Sequence, residues 1–339
     1  MKAAFLSRKG EGHQAFDILE TPTPTPQPDQ VLIQVESFGL NFADVMARRG
    51  LYKDAPPLPA ILGYDVVGSI AEIGKEVKND LQVGDKVAAF CRFGGYAEYV
   101  VTDARAAVKL PSGLAQGEAL ALMTQYCTAY YCAGEMVRMT PTDHVLVHAA
   151  SGGVGTALVQ YAKHIGATVY GTASNEKKIQ YLKTLGTDHI INYRIHDFVA
   201  EVHTLRPEGM DIIFDPIGGS TLKKGMSLLA AGGRMVAFGA SSLNQAKNFF
   251  QKMSIGLAFG FYHPGQLISQ SKSLIGVNML TLSDQKPEKL EAILAAVMEL
   301  YTQGVFTPSS TFSFPVEELG KAHDMLENRQ TTGKIMVQW

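Results

Sequence analysis

The stretch His144-Val-Leu-Val-His-Ala-Ala-Ser-Gly-Gly-Val-Gly155 decides the fold of this chain. An apolar run ends there in small residues, and Gly152 and Gly155 then open a helical pattern that continues to Ile165. A strand that passes through a glycine-rich turn into a helix is typical of dinucleotide pyrophosphate sites, because glycine permits close backbone approach and the helix N-terminus presents unpaired N–H groups. Ala149 replaces the usual first glycine, so a tight turn without a ligand remains the alternative.

The segment after this helix indicates whether NAD or NADP would bind. Residues 167–171 predict a second strand, and NAD sites usually have a carboxylate for the ribose 2′-hydroxyl about 20 residues beyond the first glycine. This chain instead has Ser174 at the strand end, Lys177 and Lys178 just beyond it, and Glu176 as the nearby acid. Hydroxyl and ammonium groups suit the 2′-phosphate of NADP, so the sequence favours NADP(H). The alternative is that both lysines are solvated on a surface helix.

Length and composition indicate a cytoplasmic enzyme with two domains. The chain has 339 residues, and its 30 Lys and Arg residues nearly balance 32 Asp and Glu residues, which argues against nucleic-acid binding. Three cysteines are too few for a disulfide framework and lack the spacing of a metal site. The N-terminus does not read as a signal peptide, and no apolar run approaches the roughly 18 residues of a transmembrane helix.

The pattern of elements divides the chain into three regions. Residues up to about 115 carry many short strand signals separated by turns, which favours a small β-barrel or sandwich. Strands and helices then alternate to about residue 240, which predicts a doubly wound parallel sheet with ligands at the carboxyl ends of its strands. Beyond residue 270 a strand, a helix and a last strand are expected to complete the first domain and the sheet edge. The predicted fold class is therefore α/β.

Residues 241–265 read as irregular and are rich in aromatic side chains, namely Phe249, Phe250, Phe259, Phe261 and Tyr262. Such a region is consistent with a lid, a dimer contact or a surface that touches a membrane. Packing into the core is the simplest alternative.

Short motifs along nearly the whole chain resemble those of one known family. They are Gly39-Leu-Asn41-Phe-Ala-Asp44, Arg49-Gly-Leu-Tyr52, Gly63-Tyr-Asp-Val-Val-Gly68, Val83-Gly-Asp-Lys-Val87, Ala149-Ala-Ser-Gly-Gly-Val-Gly155, Gly171-Thr-Ala-Ser174, Ile191-Asn-Tyr193 and Gly333-Lys334. Together they resemble the zinc-independent medium-chain dehydrogenases/reductases of the quinone oxidoreductase group. Residues 40–48, followed by Gly50-Leu-Tyr52, most resemble the synaptic vesicle amine transport protein-like subgroup.

The resemblance implies a GroES-like β-barrel catalytic domain made of residues 1–120 and 268–339, a Rossmann NADP-binding domain of residues 121–267, and a homodimer. The zinc-dependent relatives carry Cys where this chain has Asn41, and Gly-His-Glu where it has Gly63-Tyr64-Asp65, so no catalytic metal is expected. Without a Lewis acid, such a site delivers hydride to acceptors that are already electron-poor, such as quinones and enones.

The same resemblance implies roles for individual residues. Asn41 would contact the nicotinamide ribose or the substrate carbonyl, and Tyr52 would protonate or steady the product unless it only packs on its neighbours. Asp44 is expected to anchor the Asn41 loop or to cap the following helix, and His148 to be a packed strand-end histidine. The expected cofactor contacts, beside Asn41, are Ser151, Gly152, Gly153, Val154, Gly155, Thr172, Ser174, Lys178, Tyr193, Gly239 and Arg329, the last of which is equally consistent with a surface arginine.

Two functions follow from the sequence. The first is an NADPH-dependent oxidoreductase of quinone reductase or enone reductase type, acting on quinones or α,β-unsaturated carbonyls. The alternative is a nucleotide-binding protein that works through lipid, membrane or protein contacts with little or no catalysis. The aromatic region is the local support for that alternative. Retention of Asn41, Tyr52 and the phosphate loop favours the enzyme.

Overall fold

The computed structural model describes residues 1–246, 248–308 and 311–339. The chain forms two compact units. Unit 1 comprises Met1–Cys127, Leu280–Glu299 and Pro308–Trp339, and unit 2 comprises Thr128–Met279 and Leu300–Thr307. The domain limits expected from the sequence, at residues 121 and 268, stay a prediction.

The described residues form strands and helices along the whole chain. The strands are β1 Lys2–Leu6, β2 Phe16–Glu20, β3 Gln30–Leu40, β4 Ala60–Ile61, β5 Asp65–Ile73, β6 Lys86–Phe90, β7 Tyr99–Asp103, β8 Ala107–Lys109, β9 His144–Val147, β10 Thr168–Ala173, β11 His189–Asn192, β12 Met210–Asp215, β13 Leu229–Ala237, β14 Ser273–Gly276, β15 Phe312–Pro315 and β16 Ile335–Gln338. The α-helices are α1 Gly12–Ala15, α2 Phe42–Arg48, α3 Gln116–Ala121, α4 Cys127–Tyr130, α5 Gly153–Ile165, α6 Glu176–Thr184, α7 Phe198–Leu205, α8 Ser220–Leu228, α9 Phe249–Ala258, α10 Pro264–Gln270, α11 Met279–Gln285, α12 Pro287–Thr302 and α13 Leu319–Glu327. None of the helices so described is both long enough and apolar enough to cross a membrane.

Unit 1 is built on two sheets whose strands are mostly antiparallel. The larger sheet has seven strands, in the order β15-β16-β3-β5-β6-β8 with β7 paired to β3, and the smaller has the order β2-β1-β4. In β3, Val31, Ile33 and Val35 are buried on one face, and on the other face Leu32 is buried while Gln34 is exposed. The C-terminal strand β16 pairs with β3, so the N-terminal and C-terminal parts of the chain share one sheet.

Unit 2 is built on a six-stranded parallel sheet with the order β11-β10-β9-β12-β13-β14. Its first strand in the chain, β9, lies in the middle, and the strand order reverses between β9 and β12. This is the order of the doubly wound dinucleotide-binding fold, whose ligands lie at the carboxyl ends of the strands next to that reversal. The predicted α/β fold class is confirmed.

Residues 241–265 contradict the expectation of an irregular region. Asn248 caps α9, and its side-chain oxygen accepts the Gln251 backbone N–H at 2.9 Å. Phe259 and Tyr262 pack against the core of unit 2, whereas Phe250 and Phe261 are 74% and 85% exposed. The side chain of Phe249 lies outside the described part of the chain. Both core packing and an exposed apolar surface are therefore present in this region.

Candidate active site

The phosphate loop of unit 2 connects β9 to α5. Ala149 takes a left-handed backbone conformation with φ 51°, and Ala149 carbonyl oxygen accepts the Gly152 N–H at 2.9 Å. Gly152 is the N-cap residue of α5 and has no side chain to satisfy the first helical N–H groups. The N–H groups of Gly153, Val154 and Gly155 therefore form an anion-binding helix end of the kind that holds a pyrophosphate.

Gly152 and Gly155 of this loop differ in how closely an added Cβ would approach other atoms. A Cβ on Gly155 would lie 2.4 Å from the Ala149 carbonyl oxygen and 2.7 Å from the Ala150 Cα. A Cβ on Gly152 would meet the same carbonyl oxygen at 3.3 Å and nothing closer. The packing of the loop on its own helix therefore requires glycine at position 155. Contacts within the protein do not require glycine at position 152.

The side chains beneath the loop hold it in place. Thr172 of β10 is buried, and its Oγ1 accepts the Ala149 N–H at 3.1 Å. Ser151 is buried within the loop itself. His148 is also buried, lies 3.4 Å from Thr172 Oγ1 through its Nδ1, and has its pKa lowered by burial. These contacts agree with the expectation of a packed histidine at the strand end.

The next two strand ends bring together the residues expected to bind the 2′-phosphate. Ser174 follows β10, and Asn175 caps α6 by accepting the Lys178 N–H at 3.0 Å. Tyr193 follows β11 and is 36% exposed, and its N–H donates to the Ala173 carbonyl oxygen at 3.1 Å. The carboxylate of Glu176 accepts a hydrogen bond from Gln180 in the next helical turn.

The last two expected cofactor residues lie elsewhere. Gly239 follows β13, and a Cβ at this position would lie 2.6 Å from the Pro216 carbonyl oxygen. The close approach of the segments that follow β12 and β13 therefore explains this glycine. Arg329 is exposed just after α13 in unit 1, in a left-handed backbone conformation with φ 58°. Its contact with the cofactor stays a prediction.

Asn41 in unit 1 begins α2. The Asn41 N–H donates to Asp44 Oδ2 at 2.9 Å, and the other carboxylate oxygen of Asp44 accepts the Gly63 N–H at 3.2 Å. Asp44 therefore both caps the helix and ties the Asn41 loop to the neighbouring chain segment. Burial is the main cause that raises the pKa of Asp44, to about 7.

A buried polar cluster surrounds the Asn41 side chain. Asn41 Oδ1 lies 2.9 Å from both Lys334 Nζ and Thr124 Oγ1, and its Nδ2 donates to Asp65. Lys334 and Asp65 are fully buried and form an ion pair of 2.7 Å. Burial lowers the pKa of Lys334, and the charge of Asp65 opposes that shift. No local pattern predicts a role for Thr124, Asp65 or Lys334, although Asp65 and Lys334 lie within the motifs Gly63-Tyr64-Asp65 and Gly333-Lys334.

Two tyrosines lie together in the same unit. Tyr52 is half-buried, and its ring meets that of Tyr64 edge-on with centroids 6.4 Å apart. Burial raises the pKa of Tyr52 and, more strongly, that of Tyr64. The Tyr64 hydroxyl is buried and makes no hydrogen bond within the described part of the chain. Both phenols stay protonated at neutral pH and are available as hydrogen-bond donors.

The residues at the zinc position of the relatives do not fit a metal ion. The Asn41 oxygen already accepts hydrogen bonds from Lys334 and Thr124, and the buried ammonium of Lys334 would repel a cation there. A separate cluster of Glu11, Asp324 and Glu327 brings three carboxylates together, but arginines 48 and 49 neutralise it through ion pairs.

Comparison with known proteins agrees with this fold. Residues 27–112 match the alcohol dehydrogenase GroES-like domain, and residues 153–296 match the family described as zinc-binding dehydrogenase. The synaptic vesicle membrane protein VAT-1 homolog of Homo sapiens is 33% identical over 324 residues, which cover 93% of this chain and 80% of that protein. The homolog of the same name from Danio rerio is 37% identical over 317 residues, which cover 93% of this chain and 65% of the relative's length, so the chain spans less than two thirds of it.

A solved structure extends the likeness to the whole chain. The Escherichia coli quinone oxidoreductase complexed with NADPH has a TM-score of 0.86 and 25% sequence identity, and the match covers 100% of both chains. The present chain belongs to the medium-chain dehydrogenase/reductase family. Within that family it fits the zinc-independent quinone oxidoreductase-like subgroup, and the resemblance drawn from its motifs is confirmed.

Proposed function

We propose that this protein is an NADPH-dependent oxidoreductase that reduces quinones or α,β-unsaturated carbonyl compounds without a catalytic metal. The observation that carries the proposal is the Asn41 cluster, in which a buried ammonium group donates to the amide oxygen at the position of a zinc ligand in the relatives. The same unit holds two protonated tyrosines, Tyr52 and Tyr64, which feel the charge of Asp44, the residue that holds the Asn41 loop. Such a set of donors suits an acceptor that is already electron-poor, since it stabilises developing negative charge on oxygen without a Lewis acid.

Unit 2 supplies the cofactor site of this proposal. The first N–H groups of α5 would hold the pyrophosphate, and Ser174, Lys178 and Tyr193 would contact the 2′-phosphate. The absence of an acid in the expected ribose position, together with a solved relative that holds NADPH, supports NADPH over NADH. When bound, NADPH supplies the hydride.

Unit 1 supplies the groups that complete the reduction. Asn41 would donate an N–H to the acceptor oxygen, where electron density collects as hydride adds to the acceptor. Tyr52 would give its proton to the resulting enolate or hydroquinone anion and regain one from solvent. Hydride and proton together make a two-electron reduction of the acceptor.

The test is to measure NADPH binding and NADPH oxidation with 1,4-naphthoquinone, an ortho-quinone and a simple enone. We expect tight NADPH binding and turnover with at least one of the three acceptors. The pattern of turnover identifies the acceptor class. Failure to bind NADPH would overturn the proposal. Tight NADPH binding without turnover of a wider set of acceptors would support the nucleotide site but contradict the enzymatic role.

A second candidate function is a nucleotide-binding protein that attaches to lipid. It is favoured by α9, where Phe250, Met253 and Leu257 recur on one helical face and are 74%, 49% and 58% exposed. Co-sedimentation with phosphatidylcholine and phosphatidylserine vesicles checks it. Lipid binding that disappears in Phe250→Ser, combined with no reductase activity, would favour this candidate over the enzyme.

A further inference from the structure

The hydrogen bonds around Asn41 determine which end of its amide is left for a ligand. A primary amide has two lone pairs on oxygen and two N–H donors. Lys334 Nζ and Thr124 Oγ1 both donate to Asn41 Oδ1 at 2.9 Å. Asp65 accepts one of the two N–H groups on Nδ2. Both lone pairs and one donor are therefore used within the protein, and the second N–H has no partner among the residues that the structure describes, on a side chain that is only half-buried.

The same partners prevent the amide from turning over. A flipped amide would place its NH2 group against the ammonium of Lys334 and its oxygen against the carboxylate of Asp65. Donors would then face donors and acceptors would face acceptors, at positions where Lys334 and Asp65 are fully buried. The orientation of Asn41 is thus imposed by charges that water does not screen.

The neighbouring backbone is shaped to admit this ion pair. A Cβ on Gly39 of β3 would lie 1.9 Å from Asp65 Oδ2 and 2.2 Å from Lys334 Cε. Glycine at position 39 lets β3 pass beside the two charged groups while β16 pairs with it directly, with Gly39 opposite Met336. The ion pair therefore depends on a strand from each end of the chain.

We propose that Lys334, with Asp65 and Thr124, is a positioning residue that leaves Asn41 as a hydrogen-bond donor only, and that this donor binds the carbonyl oxygen of the acceptor. The inference rests on the proposed function and makes it more specific. An N–H accepts no hydrogen bond, so the site favours acceptors whose oxygen carries lone pairs beside the reacting carbon. A ribose hydroxyl oxygen of the cofactor has the same chemistry, and the measurements below separate these two sources.

The main variant is Thr124→Val, which removes one donor to Asn41 and keeps the shape of the side chain. Thr102→Val is the matched control, because Thr102 is also buried in unit 1 and its hydroxyl donates to the Phe90 carbonyl oxygen at 2.7 Å, outside the cluster. A double variant, Lys334→Met with Asp65→Leu, replaces the whole ion pair by apolar side chains and avoids leaving one charge buried alone.

The expected result for Thr124→Val is a fall of about tenfold in kcat/KM for 1,4-naphthoquinone, with the NADPH dissociation constant changed less than twofold. The double variant should lose more, mainly in kcat, and the control should keep both values. An equal loss of NADPH affinity would assign the Asn41 N–H to the cofactor and overturn the acceptor assignment. Unchanged kinetics in both variants would overturn the positioning role.

Nuclear magnetic resonance of the Asn41 side chain tests the fixed amide independently of enzymatic activity. In protein labelled with 15N at asparagine, the Asn41 side chain should show one N–H protected from solvent exchange by Asp65 and one that shifts when 1,4-naphthoquinone is added. The double variant should lose the protection, whereas Thr124→Val should keep it, because Asp65 still accepts that N–H. Absence of protection in the wild-type protein would overturn the inference even if turnover is observed. Protection without turnover would overturn the proposed function and the carbonyl assignment but not the fixed amide.

Discussion

At the scale of single residues, Asp44 couples the stability of this protein to pH. Burial raises the pKa of its carboxyl from an ordinary 3.8 to about 7, even though two backbone N–H groups donate to it. Between these two values the folded protein holds a proton that the unfolded chain has released. The stabilisation from this group is therefore complete below about pH 4 and is lost as the pH rises through 7.

We predict that the free energy of unfolding of the wild-type protein, minus that of Asp44→Asn, decreases from pH 5 to pH 8. Only the two pH units between 5 and the folded pKa of about 7 contribute over this range, so the change is at most about 3 kcal/mol. His148 and His323 are buried with lowered pKa values, so they produce the opposite trend with pH. They are present in both proteins and cancel in the difference, which urea unfolding at several pH values measures. A flat difference would show that Asp44 is ionised throughout.

We propose that Lys178 determines the choice between NADPH and NADH. Its position in the first turn of α6, next to the ends of β10 and β11, suits a 2′-phosphate and offers nothing specific to NADH. Lys178→Ala should weaken NADPH binding by about tenfold or more and leave NADH binding within twofold. Lys177→Ala, at the exposed neighbouring position, is the control. Equal losses for the two cofactors, measured by fluorescence titration, would remove the 2′-phosphate assignment.

At the scale of elements, the strand–turn–helix of β9 and α5 is consistent with a cofactor site or with a tight turn that binds no ligand. Substitutions at its two glycines distinguish these two interpretations. Gly155→Ala forces a Cβ against backbone at 2.4 Å, so it should lower stability by about 1–3 kcal/mol whether or not the loop binds a cofactor. Gly152→Ala meets nothing closer than 3.3 Å and keeps an ordinary φ of −80°, so it should fold normally. We predict that it nevertheless loses NADPH affinity by about tenfold, because the added methyl stands where the pyrophosphate approaches. Normal NADPH binding by Gly152→Ala would support the reading as a turn only.

Elements with a local signal could be predicted from the sequence, and those that depend on distant partners could not. The alternation in β3 and the glycine turn before α5 are local patterns, and both elements lie where expected. The aromatic region was expected to be irregular, yet Asn248 caps a regular helix there. The Asn41 cluster joins residues 293 positions apart, Asn41 and Lys334, and no local pattern encodes such a contact.

At the scale of the whole molecule, the edge of the parallel sheet in unit 2 favours self-association. β14 is an edge strand of the sheet and pairs only with β13 among the described strands. Its sequence, Ser-Leu-Ile-Gly, contains neither a charge nor a proline, the devices by which proteins protect an exposed edge. Leu274 in this strand and Ile268 in the preceding helix α10 are 37% and 80% exposed. A second copy of the chain, added strand to strand, would pair these backbone groups and cover the apolar side chains.

We therefore predict that the protein is a homodimer with twice the 36.7 kDa mass of the chain at micromolar concentration. Leu274→Lys places a charge on the edge strand and should shift the protein to monomers while its circular dichroism stays unchanged. Val83→Lys, a change of the same kind at a 65% exposed position in unit 1, should leave the dimer intact. Sedimentation equilibrium over a range of concentrations measures both. A wild-type monomer would exclude association through β14, and a dimer that tolerates Leu274→Lys would place the contact on another surface.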